Sequence, residues 1–205
     1  MIEVDRAGPV WTLRLNRPDK ANSLTRDMLV AIEAAAGEAG EAGVAGLVLT
    51  GAGTVFSAGA DLDEARAGLA TDPIWELLSA RIAALPCLTV AALNGTLAGG
   101  AFGMVLACDL RLAVPEAHFF YPVMKLGFLP QPSDPVRMAR LVGPARTRMI
   151  LMAGQKLDAE TAYGWGLVDR IVAPGALAET VAELTGAAVS APPDIRCGIK
   201  GMIPD

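Results

Sequence analysis

A chain of 205 residues with a formal net charge of −5 and one histidine has no basic excess with which to hold nucleic acid, and it is long enough to bury a full core. Hydrophobic residues make up 53% of it and mean hydropathy is +0.42, with no charge from Ile82 to Cys108. Pro86, Asn94-Gly95 and Gly99-Gly100 nevertheless cut that run into pieces too short to span a bilayer. The N-terminus Met-Ile-Glu-Val-Asp lacks the basic region and apolar run of a secretion signal. Cys87, Cys108 and Cys197 are odd in number and widely spaced, which suits reduced thiols and neither disulfides nor a metal site. A cytoplasmic protein is expected, with no membrane or nucleic-acid partner. No composition break divides the chain, so 1–205 reads as a single domain, with a core over 1–190 and a short segment over 191–205.

In chain order, Ile2 to Asp5 and Val10 to Leu15 form two strands about the Gly8-Pro9 turn. A loop runs from Asn16 to Ser23. Thr25 is placed to cap a helix running to about Gly37, with Met28, Ile32 and Ala35 or Ala36 on one face, ahead of a buried strand from Val44 to Leu49. Thr54 to Leu62 reads as a turn of small residues that leaves backbone N–H groups accessible. Leu62 to Ala70 and Pro73 to Leu85 read as helices, the second with proline in its first turn. Cys87 to Leu93 is a strand, Leu97 to Ala107 a helix, and Asp109 to Val114 and Ala117 to Tyr121 two short strands. The loop Pro122 to Pro132 leads to helices over Asp134 to Val142 and Ala145 to Ala153. A short helix at Ala159 to Tyr163, a strand at Val168 to Val172 and a helix at Ala176 to Ala188 complete the pattern. Strand pairs alternating with helices make an α/β domain.

The chain is organised around Thr89 to Asp109, where an apolar strand breaks at Asn94-Gly95 into a glycine-studded helix. Gly99 and Gly100 carry no Cβ, so backbone can approach a ligand, and the N–H groups of a first helical turn point at an arriving oxygen. That is the build of an oxyanion site. Close packing of a core helix accounts for the same glycines.

Three stretches together resemble the enoyl-CoA hydratase/isomerase (crotonase) superfamily. They are Leu15-Asn-Arg-Pro-Asp-Lys-Ala-Asn-Ser-Leu24, Phe56-Ser-Ala-Gly-Ala-Asp-Leu62, and Asn94-Gly-x-x-x-Gly-Gly100 followed by Cys108-Asp109, in the family's order and at about its separations. The resemblance extends over roughly residues 1 to 200. It implies a crotonase-like, right-handed spiral of repeated β-β-α units, closed by C-terminal helices that assemble trimers, often paired as hexamers. Family members usually continue well past Lys200. A truncated C-terminal helical region is therefore expected, with a pocket short of its far wall. A weakened homotrimer or hexamer goes with it, its apolar surface exposed or covered by Ala187 to Pro193.

The resemblance further implies an acyl-CoA ligand, with coenzyme A as part of the substrate and no other cofactor or metal. Lys20 and Ala21, in the loop Arg17 to Asn22, would lie beside the adenine and phosphates; Pro-Asp is also ordinary chemistry for a solvated turn. Ala58, Asp61 and Leu62 would line the adenine and pantetheine path. The N–H groups of Ala60 and Gly100, with Gly99 beside them, would hold the thioester carbonyl. By the same resemblance, the two glutamates of the family's hydratases fall at Gly103 and Val123. These would line the acyl site, but neither can move a proton, so ordinary hydration is not expected.

Other proton carriers are Tyr121 and Asp134. Tyr121 is either a hydroxyl donor or a packed aromatic with its OH satisfied, and Asp134 is either catalytic or a helix N-cap. Gln131, near which some relatives hold an aspartate, cannot titrate. Asp63 and Glu64 suit a helix dipole. Ser57 with His118 lacks the Gly-x-Ser-x-Gly elbow of a hydrolase. Arg137, Arg140, Arg146 and Arg148 read as a solvated face or a subunit contact. Two functions stay open. One is an acyl-CoA lyase, decarboxylase or isomerase of fatty acid metabolism working through an enolate; the other is a non-catalytic acyl-CoA carrier or regulator.

Overall fold

The computed structural model describes residues 1–203, and the last two residues of the expected terminal segment lie outside the described residues. Strands β1 (Ile2–Asp5) and β2 (Val10–Leu15) pair antiparallel with Ile2 opposite Leu15. Helix α1 (Arg26–Glu41) starts where predicted because the Thr25 side chain accepts the Met28 N–H, and it continues past Gly37 with Met28, Ile32, Ala35 and Ala36 buried.

Three successive turns of chain then repeat one step. Strand β3 (Gly46–Gly51) is followed by β4 (Val55–Ser57), α2 (Leu62–Arg66) and α3 (Ile74–Ala83). Strand β5 (Leu88–Leu93) is followed by β6 (Thr96–Ala98) and α4 (Phe102–Leu106), and β7 (Leu110–Ala113) by β8 (His118–Phe120), α5 (Val123–Leu126) and α6 (Asp134–Val142). Helix α7 (Pro144–Leu151), strand β9 (Leu157–Asp158), helix α8 (Ala159–Trp165), strand β10 (Arg170–Ile171) and helices α9 (Leu177–Ser190) and α10 (Pro193–Met202) follow.

Each turn lays one strand in each of two sheets. The larger has the order β1-β2-β3-β5-β7-β10 and the smaller β4-β6-β8-β9. All pairings are parallel except β1 with β2 and β8 with β9. This is the β-β-α spiral of the crotonase fold. The core lies between the larger sheet and α1 and α3, where Leu13, Leu47, Ile32, Leu78 and Ile82 are fully buried.

Buried amides hold the corners between sheets. Asn94 Oδ1 accepts the Gly51 N–H at 2.9 Å while its Nδ2 donates to Gly53 O. Asn22, wholly buried, accepts from Arg17 N–H and donates to Ala52 O and Val55 O. Every polar atom of that side chain is thus satisfied, as burial requires.

Several elements differ from the sequence reading. The stretch expected as helix from Leu97 begins as β6, and a 3₁₀ turn over Gly99–Ala101 leads into α4. The turn of small residues after Thr54 opens with β4. Apolar runs of three residues have no readable period, and these become strands only because β4, β6 and β8 pair with one another. The loop after Pro122 contains α5. Residues 193–202, for which no element is predicted, form α10, tied down by Lys200 Nζ to Asp109 Oδ2 and to Cys87 O, both at 2.7 Å. No helix of the described residues is long and apolar enough to cross a membrane.

Candidate active site

A cavity of about 140 Å³ opens beyond the C-terminal ends of the three parallel strands β4, β6 and β8. Ala58 and Ala60 follow β4, Gly99 and Gly100 follow β6, and Tyr121 and Val123 follow β8; all six line the cavity. Open α/β sheets bind ligands at this end of their strands.

The backbone at Ala60 is held from one side only. Leu24 N–H donates to Gly59 O, and Asp61 N–H donates to Leu24 O, each at 2.8 Å. In a parallel bridge these flanking bonds turn the N–H of the central residue to the opposite side, here that of the cavity. The second donor comes from the first turn after β6, where Gly100 N–H precedes any intrahelical acceptor. The two strand ends approach closely because Gly59 has φ +90° and no side chain; a Cβ there would lie 2.9 Å from Ala98 O. Gly100 admits the ring of Trp75, which would stand 3.2 Å from a Cβ at 100. Trp75 is itself fixed by its Nε1–H donating to Leu69 O at 2.7 Å.

Of the expected binding residues, Ala58 and Leu62 stand exposed at the cavity mouth, and Val123 and Gln131 form its wall. Lys20, Ala21 and Asp61 do not line it. Lys20 is exposed on a 3₁₀ turn, and Ala21 O accepts the Ala58 N–H at 2.9 Å. The Asp61 carboxylate is committed elsewhere, to Arg17 Nη1 at 2.8 Å and to the N–H groups of Asp63 and Glu64 that open α2. Its hydrogen bond with Arg17 holds it below the usual carboxylate range. Asp61 therefore shapes the loop and not the ligand surface. The reason is that Asp61 precedes α2 by one residue, the position from which a carboxylate reaches the first free N–H groups.

Gly103 lies behind the cavity wall. A Cβ there would meet Asp134 Oδ1 at 3.1 Å. The N-cap of α6 is Ser133, not Asp134. Asp134 is wholly buried, and its Oδ2 accepts the Tyr121 O–H at 2.9 Å. Burial pushes its carboxyl up to about 7; the Tyr121 hydrogen bond and Arg137 pull down, and Glu76 pushes up. Burial likewise raises the Tyr121 phenol, aided by the charge of Asp134. The Tyr121 ring stacks on Phe102 with centroids 5.3 Å apart. Tyr121 is thus a packed aromatic with its hydroxyl satisfied, and its side chain also lines the cavity.

Other candidates are spoken for. Ser57 Oγ donates to Asn22 O and accepts the Gly59 N–H, and His118 Nδ1 lies 3.1 Å from Glu116 O, so no serine–histidine couple forms. Glu64 accepts the Arg26 N–H, and Asp63 pairs with Arg66 at the surface. Arg137 donates to Ser133 Oγ, and Arg146 lies over the Trp165 ring. Burial raises the Cys108 thiol to about 12, which leaves it inert.

A larger groove of about 1100 Å³ runs between α6, α9 and α10. Ala187, Ala188 and Ala191 line it, so the segment expected to cover an apolar surface forms part of one. Neither Ala60 nor Gly100 faces it. Ala60 and Gly100 both line the smaller cavity. Sequence reasoning missed Trp75, Phe128 and Leu129 as cavity wall, because none sits in a motif: Trp75 arrives from α3 and the other two from the loop after α5.

The chain matches the model of the enoyl-CoA hydratase/isomerase family over residues 5–201. It is 36% identical over 196 residues to the "Probable enoyl-CoA hydratase echA6" of Mycobacterium leprae, covering 92% of this chain and 78% of that protein. It is 31% identical to the 4-chlorobenzoyl coenzyme A dehalogenase-2 of an Arthrobacter species, covering 98% of this chain and 77% of that one. Among solved structures, the enoyl-CoA hydratase of Bacillus anthracis superimposes with a TM-score of 0.90 at 31% identity, over 98% of this chain and 81% of that chain. With likeness running along nearly the whole β-β-α spiral, the chain belongs to the enoyl-CoA hydratase/isomerase (crotonase) family.

Proposed function

We propose that this protein binds an acyl-CoA thioester by its carbonyl, through the N–H groups of Ala60 and Gly100, and carries it through an enolate in a lyase or isomerase reaction. Decarboxylation is the preferred chemistry. Proteins of this family act on acyl-CoA, and the relatives named as hydratase and as dehalogenase differ in reaction, so the choice rests on the side chains. One observation carries it: Ala60 and Gly100 both line a cavity whose wall, among the described residues, holds no carboxylate. A donor of this kind contributes about 10²- to 10³-fold in rate by stabilising developing negative charge. Syn addition of water needs both an acid and a base at the acyl group, and Val123 and Gln131 supply neither. Loss of CO₂ from a 2-carboxyacyl thioester leaves its bonding pair on the α-carbon as the enolate, and one proton completes the product. Coenzyme A enters as part of the substrate, with no separate cofactor.

Lys20 and Ala21 lie on the loop between β2 and α1, and there they would face the adenine and phosphate end, while Asp61 would act through the loop it shapes. The family commonly oligomerises, and a homotrimer or hexamer in the cytoplasm is the proposed assembly. The lack of a carboxylate in the wall also favours a second reading, a carrier or regulator that holds acyl-CoA unchanged. Thermal-shift screening of acyl-CoA thioesters, followed by mass spectrometry of those that bind, separates the two. Binding of malonyl-type thioesters with release of CO₂ supports the enzyme; binding with no conversion of any thioester supports the carrier.

A further inference from the structure

Behind the cavity wall lies one buried titratable pair that the reaction above leaves unused. Tyr121 closes the cavity and donates its hydroxyl hydrogen to Asp134 Oδ2 at 2.9 Å. Asp134 is wholly buried, and its second oxygen, Oδ1, has no hydrogen-bond partner among the described residues. Leaving a buried acceptor unmet is destabilising. The Oδ1 atom rests over Gly103, where a Cβ would stand only 3.1 Å away.

We propose that Tyr121 and Asp134 form a proton relay to the α-carbon of the acyl group, an inference that rests on the acyl-CoA reading above. When Asp134 carries its proton, the 2.9 Å bond runs from its carboxyl O–H to the phenolic oxygen, and the Tyr121 hydrogen so freed is taken by the α-carbon of the enolate held at Ala60 and Gly100. As the phenolic O–H bond breaks, the carboxyl proton of Asp134 crosses the shared hydrogen bond to the phenolic oxygen. The carbonyl is restored, Tyr121 is unchanged, and Asp134 is left ionised with one proton delivered. Water then reprotonates Asp134. Run in reverse, the relay removes an α-proton.

The concerted transfer avoids a free tyrosinate, which burial and the Asp134 charge make costly. The groups facing Asp134 are Tyr121 from the cavity segment, Glu76 from α3 and Arg137 from its own helix. Burial outweighs them and brings the carboxyl to about 7, where both protonation states are populated at neutral pH. Ser133, which precedes it, and Arg137, one turn along α6, line the large groove, and the proton is replaced from there.

The test is exchange of the α-hydrogens of butyryl-CoA in D₂O, followed by NMR, with binding measured separately by thermal shift. The parent protein is expected to bind butyryl-CoA and exchange its α-hydrogens, with a pH profile that bends near 7. Asp134→Asn and Tyr121→Phe should bind within a few-fold of the parent and exchange about 10²-fold slower or less, with no bend remaining for Asp134→Asn. Tyr121→Phe serves as the independent variant if the aspartate change perturbs folding. Binding with exchange intact in both variants, or binding by the parent with no exchange, overturns the relay alone. Failure of the parent to bind butyryl-CoA removes the acyl-CoA reading and the relay with it.

Discussion

Gly103 and Asp134 share one space: a Cβ at position 103 would lie 3.1 Å from Asp134 Oδ1. The bare backbone of α4 is what admits a carboxylate from α6. Gly103→Glu should therefore destabilise the protein by about 1–3 kcal/mol from overpacking alone, and by more because two carboxylates would then be buried together. Removing the second in Gly103→Glu/Asp134→Gly should recover a large part. Denaturant unfolding of the two single variants and the double gives the coupling energy. Additive effects would show that the two positions do not compete.

The raised carboxyl of Asp134 links stability to pH. The native state retains a proton that the unfolded chain releases near its ordinary 3.8, and gives it up only at about 7. Its contribution is fully present below 3.8 and is lost as pH rises through 7, at up to about 1.4 kcal/mol per pH unit. Asp134→Asn should thus gain on the parent between about pH 5 and about pH 8. Unfolding free energies at both pH values check this. An equal difference at the two would mean that the carboxyl titrates normally.

Hydration of crotonyl-CoA should be many orders slower than in a hydratase. The acid and the base are each worth about 10²- to 10⁴-fold, and positions 103 and 123 are glycine and valine. Spectrophotometric turnover of hundreds per second would contradict this reading of the wall.

Carbonyl binding should depend on the Ala60 N–H. Ala60→Pro deletes that donor, and Ala60→Ser keeps it as a control; Asp61 is unsuitable for this purpose because it caps α2 and pairs with Arg17. A ligand at 100 times its dissociation constant stabilises a folded protein by about 2.7 kcal/mol. In the proline variant, shown to be folded by circular dichroism, that gain should shrink for butyryl-CoA and much less for free coenzyme A. Equal shifts for both ligands would place the carbonyl elsewhere.

Assembly is checked by light scattering. Helix α10 exposes Ile195, Ile199 and Met202, apolar surface of the kind that subunit contacts cover. A trimer or hexamer is expected at about micromolar concentration, dissociating toward about nanomolar. A monomer throughout would refute the proposed assembly.

Much of this protein was legible in its residues. The hairpin at Ile2–Asp5 and Val10–Leu15, the Thr25 cap and helix α6 rest on local pattern and capping chemistry, which act over a few residues. The small residues that line the cavity at Ala58, Ala60, Gly99 and Gly100 were legible too, because close approach of backbone is a requirement that sequence states directly. Tertiary structure decided what depends on distance along the chain. Strands as short as β4, β6 and β8 exist only through one another. Asp61, read from sequence as lining the ligand path, caps α2 instead, and Asp134, read as a cap or a catalytic group, is not the cap of α6. Asp61 met Arg17 and free N–H groups, whereas Asp134 met Tyr121 and the bare backbone of Gly103. A carboxylate's role depends on its burial and its partners, and those are supplied by elements far away in sequence.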